Sequence, residues 1–138
     1  MQRITPYLLY EDCAGALDFL TQAFGFEETL RYDDDGNVTH AEMRVGGDST
    51  IMMGDPGDDF RSPKRGGYVG AQIHVYVDDV DAHFERAKAA GAEIVNEPAD
   101  QFYGDRRYDA KDLEGHLWTF GQRVKEMSPE DWGATTPG

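Results

Sequence analysis

At 138 residues the chain has the length of one domain. Its 27 acidic and 13 basic residues leave a net charge of −14, which argues against nucleic acid and anionic membranes as partners and would favour encounter with a cation. Apolar residues make up 39%, enough for a core, and no stretch approaches the about 20 apolar residues of a membrane helix.

From the N-terminus, Ile4 to Tyr10 reads as a strand with Pro6 near its start, where a missing amide hydrogen is tolerated. Ala16, Leu17, Leu20, Ala23 and Phe24 then recur at helical spacing, which predicts a helix from Cys13 to Phe24 capped by Asp12 and closed by Gly25. Phe26 to Tyr32 and Val38 to Val45 read as strands flanking an Asp-Gly hairpin signal at Asp35-Gly36, and Ser49 to Met53 as a short strand. Gly54 to Gly70 carries five glycines and neither period, so it reads as a linker, with residues 55–69 between the two modules.

Past the linker the pattern starts again. Ala71 to Val77 alternates like a strand, Val80 to Ala90 reads as a helix capped by Asp79, and Gly91 ends it. Ala92 to Asn96, Tyr103 to Ala110 and His116 to Phe120 supply three more strands, with Asp112-Leu113-Glu114-Gly115 as the last turn. Residues 125–138 form the C-terminal tail, in which Ser128-Pro129 opens a short helix and Gly133 to Gly138 reads as loose. The two halves therefore repeat one signature about 66 residues apart: strand, acidic turn, helix, glycine, strands. The expected fold is α+β, two tandem βαβββ modules over residues 3–54 and 70–124 that form a curved mixed sheet around a cup-shaped pocket.

Cys13 is the only cysteine, so no intrachain disulfide can form, and its position at a helix start suits a small buried residue. Nothing near the N-terminus has the charged, apolar and cleavage regions of a signal peptide, so the expected location is the cytoplasm. No nucleophile elbow, phosphate loop, dinucleotide fingerprint or paired-cysteine metal site is present.

Paired modules with this punctuation resemble the vicinal oxygen chelate superfamily, also called the glyoxalase, bleomycin-resistance and extradiol-dioxygenase superfamily. The carriers are Ile4-Thr5-Pro6-Tyr7-Leu8, Ala16 to Leu20 with Phe24-Gly25-Phe26, Val77 to Asp81, Tyr103-Gly104-Asp105-Arg106, and Asp112-Leu113-Glu114-Gly115-His116-Leu117-Trp118. The wording is closest to the demethylubiquinone-methyltransferase-like branch. The resemblance implies that metal-dependent relatives hold a divalent ion with side chains from the first and last strand of each module. Carried to this chain, those positions are Thr5 or Pro6, Met52 or Met53, Gln72, and Thr119. Only Gln72 is a plausible ligand, and one neutral amide cannot hold a divalent ion, so the expectation is no metal and no cofactor. His74 shares Gln72's face, but a lone histidine is a poor metal site and suits a pocket wall better.

With Thr5, Gln72 and Thr119 facing inward, alternation adds Tyr7, Leu9, His74, Tyr76 and Leu117 to the lining, and Met52 or Met53 completes it. That mixture of apolar and aromatic groups with a few polar ones is typical of a small-molecule site. Tyr103 and Arg106 come from the strand before the last turn. Arg106 either forks onto an anionic ligand group or pairs internally with one of the many aspartates. Trp118 is expected on the opposite face, under a helix, and His40, His83 and His116 are assigned no chemistry. The resulting expectation is a metal-independent, homodimeric small-molecule binding protein. The alternatives are a metal-dependent lyase or dioxygenase of the same superfamily, or a cofactor-free isomerase with His74 or an acidic neighbour as base.

Overall fold

The structure is a computed structural model that describes residues 2–137. The first module runs through β1 (Tyr7–Leu9), α1 (Cys13–Phe24), β2 (Glu27–Asp34), β3 (Asn37–Gly46) and β4 (Ser49–Gly54). A single helical turn, α2 (Pro63–Gly66), stands between the modules, and the second module repeats the pattern as β5 (Gln72–Tyr76), α3 (Val80–Ala89), β6 (Glu93–Asp100), β7 (Asp105–Lys111) and β8 (Leu117–Arg123). A 3-10 turn at Pro129–Trp132 follows.

Local chemistry explains the boundaries. The Asp12 side chain accepts from the Gly15 amide at the start of α1, and Asp79 does the same for Ala82 at the start of α3. Gly25 ends α1 in the left-handed region at φ 75°, where a side chain would be strained. The β2–β3 hairpin turns at Asp35 and Gly36, both at positive φ, and pairs Asp34 with Asn37 as a two-residue turn of the primed kind requires. The first strand is shorter than its apolar run, covering only Tyr7–Leu9, because pairing with β4 begins at the Tyr7–Met52 register.

Each module forms its own four-stranded sheet, ordered β1-β4-β3-β2 and β5-β8-β7-β6, with one parallel pair and two antiparallel pairs. The helix-bearing sides of both sheets share one core. Leu17, Leu20 and Phe24 from α1 meet Met43 and Ile51 of the first sheet and Trp118 and Phe120 of the second. The rings of Phe24 and Phe26 lie 5.7 and 5.2 Å from Trp118, within the range of favourable aromatic contact. Trp118 is therefore a core residue, as its strand parity predicts.

Polar groups cross the junction as well. Asp112, in the turn between β7 and β8, accepts from the Tyr10 hydroxyl at 2.5 Å and from the Trp118 indole at 3.1 Å. Glu114 of the same turn accepts from the Glu11 and Asp12 amides at 2.7 and 2.8 Å, so it satisfies donors at the entry to α1. Burial pushes the Glu114 carboxyl up, against the pull of those two amides. His83 on α3 sits between Tyr108 and the Phe24 carbonyl, at 2.5 and 2.8 Å. The segment between modules is held too: the Ser62 amide donates to Glu11, and the Lys64 amide to the Glu114 carbonyl at 2.9 Å. The consequence for function is geometric. With both helix-bearing sides spent on the core, the opposite face of each sheet is left open.

Candidate ligand-binding sheet faces

Strand register decides which side chains share the open faces, because paired residues on neighbouring strands project to the same side. On the first sheet Tyr7 pairs with Met52, which pairs with Glu42, and Leu9 pairs with Gly54, which pairs with His40. Leu8, Ile51 and Met53 take the core side, so Met52 rather than Met53 joins Tyr7 on the open face. Across β2, Leu30 and Tyr32 extend that face. Tyr7, Leu9, Leu30 and Tyr32 are each 38–59% exposed, although apolar or aromatic.

Tyr7 and His40 are linked at 2.9 Å, and the His40 Nε2–H donates to Glu42 at 2.9 Å. The carboxylate can only accept, so in the neutral ring Nδ1 accepts from the Tyr7 hydroxyl. The end of the Tyr7 ring packs against Gly54: a Cβ there would stand 2.5 Å from the phenol oxygen.

The second sheet repeats the layout with different chemistry. His74 pairs with Thr119 and Tyr76 with Gly121, as Tyr7 pairs with Met52 and Leu9 with Gly54. Asp109 stands beside Thr119 as Glu42 stands beside Met52. Here the first sheet's thioether gives way to a hydroxyl, which joins an amide to a carboxylate. Gln72 Nε2 donates to Thr119 Oγ1 at 2.8 Å, and Thr119 donates to Asp109 at 2.5 Å. The other Asp109 oxygen accepts from Asn96 at 2.7 Å and has Arg107 at 3.6 Å, while Arg107 also donates to the Tyr103 hydroxyl at 3.0 Å. Thr119 is fully buried and Asp109 nearly so, beneath the exposed Gln72 and Asn96.

Further along the same face, the rings of His74 and Tyr76 stack at 5.1 Å. The Tyr76 hydroxyl donates to Asp105 at 2.7 Å, and Arg123 donates to the other Asp105 oxygen at 2.6 Å. Burial alone would raise the Asp105 carboxyl, but those two hydrogen bonds outweigh it and hold it below the usual range. The same bond makes the Tyr76 hydroxyl harder to ionise. Gly121 leaves room for this stack, since a Cβ there would stand 3.0 Å from His74 Nε2.

Of the residues expected at the site, Gln72, His74, Tyr76 and Thr119 stand together on the second sheet, and Tyr103 reaches them through Arg107. Tyr7 and Met52 stand together on the first sheet. Leu117 pairs with Gln72 on its expected side. Arg106 is placed elsewhere. It shares the core side of β7 with Tyr108 and Ala110, and its guanidinium meets Asp81 and Asp100 at 3.1 and 3.2 Å, the internal pairing that was its alternative reading. His40, Glu42, Asp105, Arg107 and Asp109 were missed by sequence reasoning. For β7 the signal was available: Arg107 and Asp109 alternate with Tyr108 and Ala110, whose apolar character marks the core side.

The positions that the resemblance assigns to the ligands of metal-dependent relatives hold Thr5 or Pro6, Met52, Gln72 and Thr119, at most two alcohols, a thioether and an amide. Two of the four, Gln72 and Thr119, bond to each other. This donor set does not fit a divalent ion, which needs several imidazole or carboxylate ligands. Among the described residues no group of three or more His, Cys, Asp or Glu could hold one either. Cys13 is buried at the start of α1, and burial pushes its thiol up to about 12, so it is not a thiolate nucleophile.

Comparison with known proteins agrees with this architecture. TioX from Micromonospora sp. ML1 superposes with a TM-score of 0.73 at 38% identity, covering 92% of this chain and 100% of that one. A glyoxalase/bleomycin resistance protein/dioxygenase from Nocardioides shares the fold, with a TM-score of 0.69 at 18% identity over 94% of this chain and 88% of its own. The uncharacterized protein Rv0887c of Mycobacterium tuberculosis is 37% identical over 134 residues, which is 93% of this chain and 78% of that protein. The sequence profile of the Glyoxalase/Bleomycin resistance protein/Dioxygenase superfamily matches residues 3–120, and the chain belongs to that superfamily.

Proposed function

We propose that this protein binds a small molecule without a metal ion, on the open faces of its two sheets, and sequesters it in the cytoplasm as a homodimer. The observation that carries this reading is the pairing of exposed rings with a buried polar chain. His74 and Tyr76 lie over Thr119, Asp109 and Asp105 on a face the core does not use. Rings that could have been buried are held at the surface, beside polar groups fixed by their neighbours, which is how a pre-formed receptor is organised.

The same exposure supports the dimer. Tyr7, Leu9, Leu30 and Tyr32 expose apolar and aromatic surface on the first sheet, on either side of His40 and Glu42, and a second copy laid over it would turn an open face into a walled cup. The net charge of −14 favours a cationic ligand over an anionic one during encounter; Arg106 is spent on Asp81 and Asp100, and the two bases of the second open face, Arg107 and Arg123, are paired with Asp109 and Asp105. Among the described residues no helix is long and apolar enough to cross a membrane.

The test is elemental analysis after dialysis against nickel or zinc, run beside ligand screening of the parent and of His74→Ala and Tyr76→Ala. Background metal, with binding that is lost in both variants while they remain folded, supports the reading. Near one tightly held ion per chain overturns it.

A further inference from the structure

We propose that Asp109 and Thr119 lock the Gln72 amide so that its carbonyl oxygen faces the ligand, and that this makes the second sheet a receptor for molecules whose ring edge carries an N–H or O–H donor. The proposal rests on the small-molecule reading above and names the class of ligand it selects.

The argument follows one proton. Asp109, as a carboxylate, only accepts, and its two oxygens are met by Thr119 at 2.5 Å and Asn96 at 2.7 Å. The Thr119 hydroxyl has a single proton, and that proton is spent on Asp109. Toward Gln72, 2.8 Å away, Thr119 Oγ1 can therefore act only as an acceptor, so the Gln72 amide nitrogen must turn to it. The carbonyl oxygen, at the other corner of the planar amide, is left without that partner on a residue exposed at the open face.

Tyr76 is committed in the same sense. Its proton goes to Asp105 at 2.7 Å, and Arg123 fixes that carboxylate from the other side. The phenol oxygen can then only accept, and the neighbouring Arg123 guanidinium engages one side of it, leaving one lone pair for a ligand. Gln72 and Tyr76 stand on either side of His74 along one strand face, so β5 presents a row of acceptors around an imidazole. A ligand edge without donors would leave those acceptors desolvated and unpaired, a loss of binding rather than a neutral outcome. The first sheet's Tyr7–His40–Glu42 chain orients no amide, because Met52 replaces the hydroxyl at the position paired like Thr119.

Thr119 and Asp109 are positioning residues, and the experiment reads the polarity they impose. Indole and benzofuran serve as probes: they match in shape, and only indole carries a ring donor. Binding to the full-length protein is followed by two-dimensional NMR at the Gln72, His74 and Tyr76 amides, together with NOEs from the Gln72 side-chain protons before any probe is added. The expected results are NOEs from the Gln72 amide protons to the Thr119 methyl group, and a preference for indole of about tenfold, the order that one hydrogen bond supplies. Thr119→Ser should keep the preference. Thr119→Val, which removes the relay, and Asp109→Asn, whose amide can reverse it, should each bring the ratio near one.

Equal affinities in the parent, or a preference that survives Thr119→Val, would overturn the proposal while leaving the small-molecule reading intact. Gln72 amide protons without contact to Thr119 would overturn it with no probe present. If the relay is seen but neither probe perturbs the second-sheet face, the receptor reading fails and the proposal falls with it.

Discussion

The Tyr7 ring packs against Gly54, close enough that a Cβ on the glycine would meet the phenol oxygen at 2.5 Å. The glycine is thus what allows Tyr7 to reach His40 across the first sheet. Gly54→Ala should displace the ring and break the Tyr7–His40 hydrogen bond. Because Tyr7 is half exposed, the cost to stability should stay near about 1 kcal/mol. Nitrogen shifts of the His40 ring, read beside thermal melts, check this. Unchanged shifts would mean that Tyr7 is not held there.

The two aromatic groups of β5 and β8 should separate by role. Trp118 is fully buried among Phe24, Phe26 and Phe120, so Trp118→Ala should cost about 3–5 kcal/mol. His74 is exposed, and His74→Ala should change stability by no more than about 0.5 kcal/mol while impairing binding. Denaturant melts of the two variants decide it, and similar losses in both would contradict the assignment of strand faces.

His83 supplies a pH dependence of definite sign. Burial holds its imidazole below the ordinary value, with the Phe24 carbonyl pulling the other way. The folded protein therefore binds fewer protons here than the unfolded chain once the pH drops below about 6.5. The contribution of His83 is complete above that value and is lost as the pH falls through the folded one. The melting temperature of the parent, minus that of His83→Gln, should shrink between pH 7 and pH 5. A difference that grows on acidification would reverse the assignment.

The exposed apolar and aromatic surface of the first sheet predicts an obligate pairing of copies. Light scattering at micromolar concentration should return twice the 15.4 kDa chain mass, and Leu30→Arg together with Tyr32→Glu should reduce it to the monomer. A monomeric parent would remove the second copy from the account.

Most of the fold was legible because its signals are local. Asp12 and Asp79 as caps, Gly25 as a helix stop and the Asp35-Gly36 hairpin each follow from the backbone needs of a few residues. The site was legible only where parity could be anchored. Gln72, His74 and Tyr76 alternate with the apolar Ile73 and Val75, and Thr119 is flanked by Trp118 and Phe120, so their face follows from period two. On β7 the Tyr103-Gly104-Asp105-Arg106 motif marks Arg106 as a site candidate, whereas parity with Tyr108 and Ala110 puts it on the core side and leaves Arg107 and Asp109 on the open face. His40 and Glu42 were harder still, because their role depends on which residues β4 sets beside them, a long-range register that no local pattern encodes. The ordering of the segment between modules escaped for the same reason, since Ser62 and Lys64 are held by Glu11 and Glu114 from distant parts of the chain.

The measurement that bears most directly on the central claim is native mass spectrometry of freshly purified protein, run beside the His74→Ala and Tyr76→Ala variants. A dimer carrying a non-covalent organic ligand, lost in both variants, is the predicted result. A species of either oligomeric state that carries one metal ion per chain, or a bound molecule retained by both variants, would contradict it.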